Sequence, residues 1–263
     1  MLAHHKDHYK RFEQQIENSK NYVLPFIEQS LELKKGLRVM EMGCGEGGVM
    51  KPLAQMGCEC LGLDLDAPRL KWGEEYMAEN IAKGNLKLIY KNVYDEDFVE
   101  EHQEYFDLII LKDVIEHLPN QADFLTHFQR ILKPGGQIFF GFPPWQMPFG
   151  GHQQVLNSKL SKVPYIHLLP GFIYFGLMKS TGESEAVIEG MREIKDTRIS
   201  IERFERIVKQ TNYEIVNKQW FLINPIYKYK FGLKPRKQNW LFGAIPWVRN
   251  FLTTCAYYSI KKA

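Results

Sequence analysis

The densest chemistry in the chain lies at Glu41-Met42-Gly43-Cys44-Gly45-Glu46-Gly47-Gly48, where the apolar pair Val39-Met40 ends on a carboxylate and then meets four glycines within six residues. Glycine is needed where backbone takes positive φ, or where it lies against a ligand with no Cβ between them. Such a turn after a strand reads as the mouth of a nucleotide-cofactor site. Further on, Asp64 ends a second apolar run, Cys60-Leu61-Gly62-Leu63, where a carboxylate can accept hydrogen bonds from ribose hydroxyls. For proton transfer the chain offers histidine, which titrates nearest neutrality. His152, in Pro148-Phe149-Gly150-Gly151-His152-Gln153, is the first candidate for a general base, because two glycines can bring that loop over the cofactor. His167 and His117 follow it.

Two cofactors compete for the glycine turn. Gly43, Gly45 and Gly48 satisfy the dinucleotide fingerprint, and Asp64 stands near the expected distance for its ribose-binding acid. A nicotinamide-dinucleotide oxidoreductase therefore stays open as an alternative. Glu41 argues the other way, since a pyrophosphate held at this turn is negative and gains nothing from a neighbouring carboxylate. S-adenosylmethionine carries an ammonium and a sulfonium, which a carboxylate complements in both charge and hydrogen bonding.

These residues need a frame, and the hydrophobic pattern supplies one. Strand-like runs fall at 37–42, 59–64, 86–90, 106–111 and 136–141, with helical segments between them near 47–56, 66–82, 95–102 and 120–132. That alternation predicts an α/β fold with a parallel sheet covered on both faces. An amphipathic helix from Tyr9 to Leu33 precedes it, stopped at Lys34-Lys35-Gly36. Residues 143–198 are too long for a loop in such a fold and read as a cap insertion. Helix 200–210 and strand 213–222 resume the rhythm, 223–250 forms a second insertion, and a last strand runs over 251–260. One domain spans 1–263, with a helical segment at 1–36, a cofactor-binding core at 37–142, the cap at 143–198 and the rest of the sheet at 199–263.

In this order the motifs resemble those of the class I S-adenosylmethionine-dependent methyltransferases, nearest the small-molecule branch that includes ubiquinone and menaquinone biosynthesis enzymes. Glu41 to Gly47 is similar to the family's first motif, and Gly62-Leu63-Asp64-Leu65-Asp66 to its second-strand end. Phe106 to Leu118 resembles the fourth-strand signature, and Leu132-Lys133-Pro134-Gly135-Gly136 the turn before strand five. The likeness covers about residues 37–142. It implies a Rossmann-like sheet of seven strands, mostly parallel with the last antiparallel, and S-adenosylmethionine as cofactor with S-adenosylhomocysteine as product. It also implies roles: Glu41, Gly43, Cys44, Gly45 and Gly47 at the methionine end, Asp64 at the ribose, and Leu65, Asn92 and Val93 at the adenine. Leu111 and Lys112 are expected to pass beside the methionine part through backbone groups. Asn92 departs from the family's acid, but its side-chain oxygen can still accept from an exocyclic amine. The expected reaction is methyl transfer to a small-molecule or lipid-like acceptor, with oxygen favoured. A module that binds the cofactor without catalysis is the remaining alternative.

Bland readings accompany several of these residues. Gly135 and Gly136 suit a turn, Asp107 opens a strand, and Glu116 and His117 suit capping after strand four. Among 263 residues the net charge of +3 says little, but Ile215–Ala263 holds nine Lys/Arg and no acid. Cys44, Cys58, Cys60 and Cys255 lack disulfide or zinc spacing, so reduced thiols, a cytoplasmic setting and no metal centre are expected. His4, His5 and His8 read as a solvated tail, and the charged start is not a signal peptide. No apolar run reaches 18 residues. Residues 163–178 contain no acid, Lys or Arg, and predict either an apolar pocket lining or a small cap core. The segment 227–249 interleaves aromatics with Lys and Arg. It reads first as a lid, second as a peripheral membrane contact, and last as a nucleic-acid surface. No pattern in the chain specifies an oligomeric state.

Overall fold

Apolar runs of alternating face build the sheet in the computed structural model, which describes residues 7–263; His4 and His5 lie outside the described residues. Among the described residues eight strands form, β1 (Arg38–Met42), β2 (Glu59–Asp64), β3 (Leu86–Tyr90), β4 (Phe106–Lys112), β5 (Leu132–Phe142), β6 (Tyr213–Ile223), β7 (Arg236–Lys237) and β8 (Cys255–Lys262). Their order across the sheet is β3-β2-β1-β4-β5-β8-β6-β7. β1 to β5 pair in parallel, and β8 runs antiparallel to both β5 and β6. One strand more than expected is present, because the second insertion folds the basic pair Arg236-Lys237 back on β6 as a two-residue edge.

Period-two alternation puts neighbouring residues into opposite cores. Val39, Leu108, Ile110, Phe139 and Tyr257 pack on one face with Phe12 and Ile27 of the N-terminal segment. Met40, Ile109, Leu111, Phe140 and Tyr258 pack on the other with Phe124, Phe128 and Phe204. Residues buried on both faces explain why the central strands read as unbroken apolar runs.

The N-terminal helix comes in three pieces, an α-helix His8–Asn18, a π turn Ser19–Val23 and a short α-helix Leu24–Ile27. Asp7 caps the start by accepting from the Lys10 amide at 2.9 Å. Pro25 has no N–H to offer the carbonyl four residues back, which matches the widened ladder just before it. The helix ends at Ile27, short of Leu33. At the other end of the chain, Val248–Phe251 is a helical turn, so the last strand begins at Cys255 rather than Phe251.

Residues 143–198 carry their own core of Trp145, Leu156, Ile166, Tyr174, Met178, Ile188, Met191 and Ile194, built around helices Gly171–Ser180 and Glu185–Thr197. Part of the acid-free stretch 163–178 feeds this core. The rest faces outward, with Phe172 82% exposed. Strand order reverses between β1 and β4, and at such a switch the loops leaving the carboxyl ends diverge to open a cleft.

Candidate active site

The loop after β1 turns through left-handed glycines, Gly43 at φ +69°, Gly45 at +54° and Gly47 at +77°. Its backbone is tied to β2: the Gly43 and Cys44 amides both donate to the Leu63 carbonyl, at 2.8 and 3.1 Å. The Gly45 amide donates to Asp64 Oδ2 at 2.6 Å, and the Asp66 amide to Asp64 Oδ1 at 2.9 Å. Asp64 thus has a structural job, ordering the glycine loop, that its spacing did not reveal. Gly43 also admits no side chain, since a Cβ there would lie 2.8 Å from Val114 Cγ2. The Cys44 thiol is buried, and burial pushes it well above the ordinary thiol range. It contributes backbone to the loop.

Glu41 sits just inside the tip of β1, 3% exposed, and its Oε2 has no hydrogen-bond partner among the described residues. Burial pushes its carboxyl well above the usual range, while the Lys112 ammonium pulls it back. A buried carboxylate short of a donor is costly, and a cationic ligand with N–H groups would relieve it.

Beside this loop, Met42, Gly43, Leu63, Asp64, Leu65, Lys91, Asn92 and Val93 line one cavity of about 170 Å³. Five residues expected at the cofactor, Gly43, Asp64, Leu65, Asn92 and Val93, therefore share one wall system. Leu65 is 60% exposed and available to an adenine face. Asn92 Oδ1 already accepts from the Tyr94 amide at 3.1 Å, leaving its second lone pair. Leu111 is fully buried beside Met42 in the β1–β4 register. Lys112 turns its ammonium onto Asp113, which holds a left-handed φ of +58° at the strand end.

Sequence reasoning missed a second layer over the loop. Glu46 is fully buried, and its Oε1 accepts from Arg11 Nη2 at 2.5 Å and His8 Nδ1 at 3.0 Å. Its Oε2 accepts from Arg69 Nη2 at 3.0 Å. Burial opposes ionisation here, but Arg69, His8 and Arg11 outweigh it and hold the carboxyl at about 2. His8 is therefore part of a clamp that straps the N-terminal helix to the glycine loop. The one signal available was Glu46 itself, an acid inside a glycine turn.

On the other side of β4, His152 lines a cavity of about 190 Å³ with Asp113, Asn224, Tyr227, Lys230 and Thr254. Its ring meets His117 edge-on at 4.9 Å between centroids, and its Nε2 lies 3.7 Å from Glu116 Oε1. Burial, aided by the neighbouring His117, pulls the His152 imidazole down to about 4, so it is unprotonated at neutral pH. Glu116 is 3% exposed, neither carboxylate oxygen has a hydrogen-bond partner among the described residues, and burial followed by Asp113 pushes its carboxyl up. It does not open a helix; Ile115–His117 is a 3-10 turn and the helix begins at Gln121. Glu116, His117 and His152 bring three donor atoms within 4.8 Å of one another, a set chemically able to hold a divalent cation. The expectation of no metal centre came from spacing, which is blind to residues brought together across β5. His167 leaves the list of candidate bases. It is buried in the cap, where its Nε2–H donates to the Trp145 carbonyl at 2.7 Å.

The sequence and the fold have counterparts among known proteins. A family model described as a methyltransferase domain matches residues 12–167. The ubiquinone biosynthesis O-methyltransferase of Leptothrix cholodnii is 30% identical over 116 residues, which are 44% of this chain and 48% of that protein. The match thus spans about half the length of such curated relatives. Geranyl diphosphate C-methyltransferase from Streptomyces coelicolor A3(2) shares the fold at TM-score 0.57 and 11% identity, over 93% of this chain and 78% of that one. Magnesium protoporphyrin IX methyltransferase from Synechocystis PCC 6803 does so at TM-score 0.52 and 13% identity, over 95% and 80%. The family match covers more than half of the residues and takes in the glycine loop, Asp64, Asn92, Glu116 and His152: this chain belongs to the methyltransferase-domain family.

Proposed function

We propose that the chain transfers a methyl group from S-adenosylmethionine to oxygen of a small-molecule or lipid-like acceptor. The observation that carries this reading is Glu41, a buried carboxylate whose Oε2 has no donor among the described residues, at the tip of the strand that feeds the glycine loop. The residues present suit the cofactor. Glu41 and the backbone of Gly43, Cys44, Gly45 and Gly47 would hold its methionine end, with Leu111 and Lys112 alongside. Asp64 would take the ribose, and Leu65, Asn92 and Val93 the adenine. When bound, the cofactor supplies an electrophilic methyl on a good leaving group, so no covalent enzyme nucleophile is required.

The chain's own residues then align the acceptor, exclude water and move one proton. His152 lies unprotonated in the acceptor-side cavity and would take the hydroxyl proton there. The place of His152 in that cavity, together with the O-methyltransferase name of the Leptothrix relative, favours oxygen as the acceptor atom. Residues 37–142 would form the cofactor-binding core, and 143–198 with 223–250 would enclose the acceptor. A nicotinamide oxidoreductase leaves Glu41 unexplained, and a non-catalytic module leaves His152 unexplained. Incubating the protein with isotopically labelled S-adenosylmethionine and a metabolite extract should yield one labelled methyl ether; labelled cofactor with no labelled product from any extract would favour the non-catalytic module.

A second observation supports peripheral membrane contact. Trp240 and Trp247 are 77% and 57% exposed, near exposed Lys234, Arg236 and Lys237. Aromatic and basic residues in that mixture suit an anionic lipid surface. No helix among the described residues is long and apolar enough to cross a membrane. Sedimentation with vesicles should carry the protein down when phosphatidylserine is present and leave it behind with phosphatidylcholine alone; equal recovery in the supernatant at low salt removes this reading.

A further inference from the structure

The acceptor-side cavity holds a cation that neither the glycine loop nor the histidine chemistry uses. Lys230 comes from the second insertion, on the short helix Tyr227–Phe231, and lines the same space as His152 and Asp113. Asp113 is already neutralised by Lys112, its ion-pair partner at the end of β4. Among the described residues no carboxylate is within ion-pair distance of Lys230. Lys230 therefore brings to the cavity, beside His152, a cation outside any ion pair among the described residues.

The helical turn that carries Lys230 is braced. The Tyr229 carbonyl accepts from Gln14 Nε2 at 3.0 Å, and the Tyr229 hydroxyl accepts from Asn21 Nδ2 at 3.0 Å, both on the N-terminal helix. Asn224 Oδ1 accepts from the Ile226 amide at 3.2 Å at the helix entry, and Gly232, at φ +71°, ends it. A charged group on a braced element is pre-organised for a ligand. Burial, and then the nearby Lys112, pulls the Lys230 ammonium down to about 8, so it keeps its charge at neutral pH.

We infer that Lys230 makes this cavity an oxyanion subsite, in which the acceptor oxygen is paired as an anion with the Lys230 ammonium. The hydroxyl proton passes to the free nitrogen of His152, and the oxygen anion left behind is paired with the Lys230 ammonium. An opposite charge within about 4–6 Å favours ionisation of a bound acid by roughly tenfold to a thousandfold. The inference deepens the methyl-transfer reading and rests on it for the identity of the acceptor.

The probe is 4-nitrophenol, whose anion is coloured, titrated with and without S-adenosylhomocysteine at a pH one unit below its own pKa. The unmodified protein should bind it as the coloured anion. Lys230→Gln should bind it about tenfold more weakly and in the colourless form, Lys230→Arg should restore colour, and Lys209→Gln, on an exposed helix face, should match the unmodified protein. Nitrobenzene, which has no hydroxyl, should bind all four alike. Identical spectra and affinities for the unmodified protein and Lys230→Gln overturn the inference, as does no binding at millimolar probe. Stronger binding of 4-nitrobenzoate than of 4-nitrophenol also overturns it, in favour of a carboxylate subsite. Calorimetry with S-adenosylhomocysteine on the same samples keeps the two claims apart, since its failure strikes the methyl-transfer reading while the probe's colour still reports on Lys230.

Discussion

On the β1–β3 side of the cleft, Gly43, Asp64, Leu65, Asn92 and Val93 reach one cavity from three successive strand ends, largely through backbone shape. On the far side of β4, Asp113, His152, Lys230 and Thr254 meet from the end of β4, the cap, the second insertion and the entry to β8, through side-chain charge. The first cavity is held by amide hydrogen bonds such as Gly45 to Asp64. In the second, the His152 imidazole and the Lys230 ammonium are both pulled below their ordinary values by burial and by neighbouring charge. Cofactor recognition and acceptor chemistry should therefore respond separately to substitution.

The sharpest test of that separation is His152→Gln. It should lower kcat by roughly 10²–10⁴, the range for a lost general base, while the affinity for S-adenosylhomocysteine stays unchanged. Weakened cofactor binding in this variant would mean the two sides are one unit. Next, Glu46→Gln should cost ~3–5 kcal/mol of stability in urea unfolding, because Arg11, Arg69 and His8 lose the buried anion they share. The Glu46 carboxyl is held at about 2 against an ordinary 4.5. Its stabilisation is thus fully present above pH 4.5 and is lost as pH falls toward 2. Acid unfolding of Glu46→Gln should lack that component; an unchanged acid profile would show that the clamp contributes nothing.

Glu41→Gln keeps the shape of the loop and removes its carboxylate. It should weaken S-adenosylmethionine binding by ~1.5–3 kcal/mol, as expected for a hydrogen bond to a charged group, and leave 4-nitrophenol binding intact. Loss of both ligands together would contradict the division. The smallest effects belong to the outer surface. Replacing Lys234, Arg236 or Lys237 by Gln should each remove about 1 kcal/mol of binding to anionic vesicles, with turnover of a water-soluble acceptor unaltered.

These differences also explain what could be read from the residues alone. Glycine turns and strand-terminal acids are local: φ signs, apolar alternation and a few residues of spacing specify them, and the parallel sheet follows from the same pattern. The antiparallel final strand came from the family resemblance. The eighth strand escaped notice because two residues, Arg236-Lys237, carry no periodicity. The Glu46 clamp depends on Arg11 and Arg69, which stand far from the loop in sequence and look like ordinary solvated charges. Lys230 was visible only as one basic residue among aromatics, and Glu116 only as a capping acid. Each acquires chemical meaning from neighbours that the topology brings across β4 and β5. Likewise His167 looked comparable to His152 until the cap buried it against Trp145.

The claim beneath all of this is that the Glu41 carboxyl awaits a sulfur nucleoside bearing a cationic amino-acid end. Isothermal calorimetry on the purified protein with S-adenosylhomocysteine and with NAD decides it most directly. A saturable heat is expected with S-adenosylhomocysteine, abolished or strongly weakened in Glu41→Gln, and none with NAD. Saturable binding of NAD with no heat from S-adenosylhomocysteine would contradict it.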